Sequence, residues 1–94
     1  MASIESVARV LGITVKDVKR RALRALVYEE LRRVRAEKIL ILARYGVRGF
    51  SEFWRRVEEG IIDDTIAHDD IVRLDYLEHR ERELERILRE LEEK

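Results

Sequence analysis

The sequence predicts an all-α protein: helical hairpins forming a small bundle, with two long helices, a short aromatic helix between them and a short N-terminal helix. Three observations predict it. Charged residues are 43% of the chain and hydrophobic residues 46%, which leaves little of the uncharged polar material that turns and strand edges use. Proline is absent and only 4 glycines occur, so long stretches run without a breaker. Apolar side chains recur at steps of three and four rather than two. A chain of 94 residues suits one domain, expected to span 1–94.

Ile4, Val7, Ala8, Val10 and Leu11 fit two turns of amphipathic helix, which Gly12 interrupts. Thr14 is the expected N-cap of the next helix, with Asp17 three residues on as the acid of a capping box. From Val15 to Arg44 there is no glycine or proline. Val15, Val18, Ala22, Leu23, Leu26, Val27, Leu31, Val34, Ile41 and Leu42 form an apolar stripe, with a polar gap between Val34 and Ile39. Such a helix is about 45 Å long at ~1.5 Å per residue. It must bend or find cover.

Residues 43–60 punctuate the chain, with three of its glycines, both phenylalanines and the only tryptophan. Tyr45-Gly46 reads as a helix stop, because glycine enters the left-handed conformation without steric cost. Gly49 or Ser51 begins a short helix, with Glu52 placed to meet the free amides of its first turn. Phe50, Phe53, Trp54, Val57 and Ile61 fall along one face, and Gly60 is the next stop. A helix this short is unstable alone in water. The expected role is a core corner built on Tyr45, Gly46, Phe50, Phe53, Trp54, Val57 and Gly60. The competing role, a stacking platform, requires exposed rings. Residues 61–70 read as a loop, with Asp69 and Asp70 at a helix N-terminus, where negative charge is favoured. Ile71, Leu74, Leu77, Leu84, Ile87, Leu88 and Leu91 then form a seam, broken at Arg80 and Glu81.

The formal net charge is +0, yet residues 1–57 carry 14 Lys and Arg against 6 Asp and Glu, and residues 58–94 carry the reverse, 6 against 14. Two readings follow. The acidic helix folds back on the basic one, or on a second copy of it. Otherwise the basic half meets nucleic acid or an acidic protein. Arginine outnumbers lysine and cysteine is absent, a composition compatible with a heat-adapted source and without disulfides or thiolate metal sites. No apolar run is long enough to cross a bilayer and no signal-peptide pattern appears, so a cytoplasmic location is expected.

Three patterns bear on chemistry. Val7, Ala8, Leu11, Gly12, Ile13 and Val18 match much of a helix-turn-helix, with Arg21 at one expected apolar position. Lys16, Lys19, Arg20, Arg21 and Arg24 are the candidate nucleic-acid contacts. Asp63, Asp64, His68, Asp69 and Asp70 cluster carboxylates, but without EF-hand spacing, so capping is favoured over a metal site. Arg73 and His79 resemble the signature of the all-helical HEPN ribonucleases, but six residues of helix turn about 600° and separate the two side chains. No spacing supports a nucleophile, a phosphate loop or a triad. The expectation is therefore a protein without catalytic residues, cofactor, metal or small-molecule substrate.

Tyr45-Gly46-Val47-Arg48, Phe50-Ser51-Glu52-Phe53, Val57-Glu58-Glu59-Gly60, Asp69-Asp70 and the closing Leu-rich helix together resemble a group of small archaeal all-helical proteins. Those proteins are encoded beside toxin-like partners and are regarded as antitoxin-like. The resemblance spans roughly residues 37–91. It implies a non-enzymatic role, binding and occluding a toxin partner. Two long helices need more cover than one small chain supplies, so a homodimer, a protein partner or both are expected.

Overall fold

The computed structural model describes residues 2–93. Four helices follow one another: α1 (Ile4–Leu11), α2 (Val15–Arg44), α3 (Phe50–Glu58) and α4 (His68–Glu92). No strand occurs among the described residues. The fold is all-α, with the two long helices, the aromatic helix and the N-terminal helix in the predicted order.

Local chemistry sets the boundaries. The Ser3 hydroxyl accepts from the Ser6 amide at 3.2 Å and the Ser6 hydroxyl accepts from the Ser3 amide at 2.9 Å, closing a reciprocal cap at the start of α1. The Thr14 hydroxyl accepts from the Asp17 amide at 3.0 Å and starts α2. Gly46, at φ 65°, follows the α2 C-cap Tyr45 and turns the chain out of the helix. The Glu52 carboxylate accepts from the Arg48 amide at 3.2 Å just ahead of α3, whose N-cap is Gly49.

α2 and α4 pack antiparallel and form the body of the molecule, which measures 59 × 28 × 17 Å. The thinnest dimension is about that of two packed helices. α1 lies against α2. α3 plugs the hairpin at its closed end. The core runs from Val34, Ile41, Leu42 and Val47 through Phe53 to Ile62, Ala67, Leu74 and Leu77. Phe53 is 0% exposed. The Tyr45 ring meets it edge-on at 5.1 Å and the Phe50 ring stacks on it at 6.4 Å.

The two polar interruptions seen in the sequence face each other. The gap between Val34 and Ile39 in α2 brings Arg35 and Lys38 opposite Glu78 and Glu81 of α4. Arg35 Nε donates to Glu81 at 2.8 Å, and Lys38 Nζ is bound by Glu81 at 2.6 Å and by Glu78. Burial opposes the Lys38 charge, but its hydrogen bonds to the two glutamates outweigh that and raise its pKa. Burial likewise opposes the Glu81 charge, and Lys38 and Arg35 reverse the effect and lower its pKa.

Three parts of the expected packing are corrected. Ile61 is 67% exposed and Ile62, at 9%, is buried instead. Gly60 at φ 77° ends helical geometry before Ile61, so the spacing rule no longer applies there. Trp54 is half out of water, because α2 and α4 clasp only one side of α3 and Trp54 lies a further 100° or so round the helix from Phe53. Ala22, Leu23 and Leu26 are exposed rather than covered. α4 ends level with Tyr28, where the Tyr28 hydroxyl donates to Glu92 at 2.8 Å, and it does not reach the part of α2 before Val27.

Candidate interaction surfaces

The first surface is the outer side of the corner. The Trp54 ring stacks on Phe50 with centroids 6.4 Å apart and 13° between planes, which leaves its other side open. It stands between two shallow clefts. One is lined by Phe50, Ile71, Val72 and Asp75, the other by Val57, Asp64, Thr65, His68 and Ile71. Val72, 56% exposed, adds apolar area on this side of the chain. The rim is polar, with Asp64, Thr65, His68 and Asp75. Helical spacing assigns Trp54 to the core corner, but the ring is 43% exposed, the condition a stacking platform requires.

The second surface is the uncovered start of α2. Lys16, Lys19, Arg20, Arg21 and Arg24 make no ion pair among the described residues. Beyond them the acidic helix does fold back on the basic one. Arg44 binds Asp70 at 3.1 Å, and Arg35 binds Glu81 and Glu85. The polarity also reverses, with Arg73 on Glu37 and Arg80 on Glu30. Charge neutralisation therefore reaches the C-terminal two-thirds of α2 and stops short of the five candidate cations. Val7, Val10 and Leu11 of the neighbouring α1 are exposed as well. Among the described residues no separate third helix packs on α1 and the start of α2 to complete a trihelical unit.

The third surface is the side of α2 opposite the core, where Ala25, Tyr28, Glu29, Arg32, Arg35, Ala36 and Ile39 line one long shallow groove. Ile39 and Leu40 are each 66% exposed. The sequence reading missed this face. Its signal was the run Ile39-Leu40-Ile41-Leu42, since four consecutive apolar residues wrap about 300° of helix and cannot all face one partner.

The remaining acidic, arginine and histidine candidates are occupied or scattered. Asp63 accepts from the amides of Thr65 at 2.8 Å and Ile66 at 3.3 Å, an Asx turn leading into α4. Asp70 binds Arg44 and accepts from the Tyr45 hydroxyl, and burial together with that bond pushes the Tyr45 pKa up to about 12. No group of three or more metal-ligating side chains forms among the described residues. Arg73 is held by Glu37 across the hairpin, with its guanidinium 5.1 Å from the Tyr76 ring centre. His79 points to solvent and pairs with Glu83 at 2.8 Å. The two are not brought together. No helix among the described residues is long and apolar enough to cross a membrane.

A family model described as "Uncharacterized protein MJ0235 family" matches residues 1–94, and the chain belongs to that family. The family name is of archaeal derivation, in keeping with the small archaeal protein the sequence resembles. No curated protein and no solved structure matches the chain at a significant level.

Proposed function

We propose that this member of the family is a non-enzymatic interaction module that binds a protein partner through the corner, acting as an antitoxin-like protein that masks a toxin. The observation that carries the reading is Trp54. A tryptophan held flat by Phe50, 43% exposed and flanked by open apolar clefts with a polar rim, has the make-up of an interface hot spot. Unbound, that arrangement leaves apolar area in water, and a partner surface relieves it. Occlusion is the mechanism: the corner docks over the partner's cleft, Trp54 and Val72 supply affinity, and Asp64 and Asp75 steer the encounter with a basic rim. The resemblance supplies the identity of the partner as toxin-like.

The experiment is a pull-down of the neighbouring gene product by the full chain, compared with Trp54→Ala. Retention by the wild type and a loss of affinity of about thirtyfold or more in the variant are expected. No retention of that product removes the antitoxin reading. Equal retention by both forms removes the corner as its site.

A second reading rests on a different observation, the five unpaired cations at the start of α2. These would bind nucleic acid through phosphates. The reading predicts binding to duplex DNA or RNA that falls steeply between about 50 and 200 mM salt and is abolished by changing Lys19, Arg20 and Arg24 to Glu. Salt-independent or absent binding removes it.

A further inference from the structure

The face of α2 turned away from the core has the geometry of a second helix-pairing seam. With Val27, Val34 and Ile41 facing α4, the opposite side carries Ala22, Ala25, Glu29, Arg32, Ala36 and Ile39. Their spacings alternate between three and four residues, the repeat by which two helices keep a common seam in contact. Four of the five large apolar side chains that α2 exposes, Leu26, Tyr28, Ile39 and Leu40, lie on or beside this seam. Among the described residues nothing covers it. α4 occupies the other side, and the groove is lined by α2 alone.

We propose that a second copy of the chain covers this face, with the two α2 helices antiparallel and Glu29 of each copy opposite Arg32 of the other. The charges select this arrangement. A parallel pair would set Glu29 on Glu29 and Arg32 on Arg32, two like-charge contacts in the middle of an apolar seam. An antiparallel pair centred between Glu29 and Arg32 forms two opposite-charge contacts. It also places Ala25 on Ala36 and Ala22 on Ile39, small against small or large, so the helices approach closely. Sliding the pair by one heptad in either direction leaves Glu29 and Arg32 against alanine or isoleucine, unpaired, which disfavours both neighbouring registers.

The groups concerned are available. Arg32 has no ion pair among the described residues, and Glu29 holds only Arg33, at 3.0 Å on the same exposed helix face. Such a surface pair is weak and is readily exchanged. The self-association expected from helix length thus acquires a face, an orientation and a register. It is separate from the partner-binding corner, which lies at the closed end of the hairpin.

Sedimentation equilibrium of the full chain tests it. The wild type is expected to be a dimer, and Glu29→Arg and Arg32→Glu, each alone, are expected to weaken association by at least about tenfold. An equimolar mixture of the two variants is expected to re-pair, because each then meets opposite charge, and the double exchange is expected to restore the homodimer. The chain has no cysteine, so Ala25→Cys mixed with Ala36→Cys should give a disulfide-linked pair far faster than either variant alone. A wild type that is monomeric at about 100 µM overturns the proposal. So do single reversals that associate like the wild type, or a mixture that fails to re-pair. Helix content by circular dichroism confirms that each variant folds. Trp54→Ala remains a dimer and Glu29→Arg still retains the protein partner, so this proposal and the partner-binding reading fail separately.

Discussion

Phe53 and Trp54 are neighbours in sequence and opposites in environment. Phe53 is enclosed by Tyr45, Phe50 and the α2–α4 hairpin, whereas Trp54 has one side in water. Phe53→Ala is therefore expected to cost about 3–5 kcal/mol of stability. Trp54→Ala is expected to cost less than about 1.5 kcal/mol, a difference that denaturant unfolding resolves. Spacing alone could not separate the two, because helical steps place both within one broad apolar arc. What decides is how wide a clasp the flanking helices offer, which is a tertiary fact. Tyr45 supplies a second prediction at this scale. Its pKa is raised from the usual 10.0 to about 12, so its stabilising contribution is intact below pH 10 and is lost as pH rises toward 12. Thermal melts across that window should fall more steeply for the wild type than for Tyr45→Phe.

The helices themselves were legible because their signals are local. Gly12, Thr14, Tyr45-Gly46 and Gly60 each act on the few residues beside them, and α1 ends and α2 begins and ends where those signals stand. The facing of helices was less legible. The gap in α2 and the break in α4 each looked like a flaw in a stripe, and together they form one charged layer of Arg35, Lys38, Glu78 and Glu81. A layer of this kind fixes how the two helices slide against each other, since a one-turn shift would leave partly buried charges unpaired. Glu81→Ala is expected to lower stability by about 1–3 kcal/mol in a melt, more than removal of an exposed pair such as Arg86 with Glu90. Glu81 and Glu37 both have lowered pKa values. Their contribution is present above the ordinary carboxylate pKa and is lost as pH falls through the lowered one. Stability should accordingly decline below about pH 4, and replacing both by Gln should flatten that decline.

At the scale of the molecule, a rod 59 Å long and 17 Å thin has little interior for its surface. The sequence announced this through helices longer than a globule is wide. It did not announce how the surplus surface divides, into an aromatic corner, a basic end and a second seam on α2. That division depends on where α4 stops, and α4 stops level with Tyr28. The span of α2 before that point thus works as a built-in occupancy gauge. Its backbone is covered on one side by α1 and otherwise faces water, so in the free chain residues 16–24 should exchange hydrogen for deuterium fastest of all α2. A nucleic acid on that span slows them while leaving residues 31–42 unchanged, whereas a second copy on the seam slows both. A single exchange profile would then register a nucleic acid at the basic end apart from a protein at the corner, with no label attached to either.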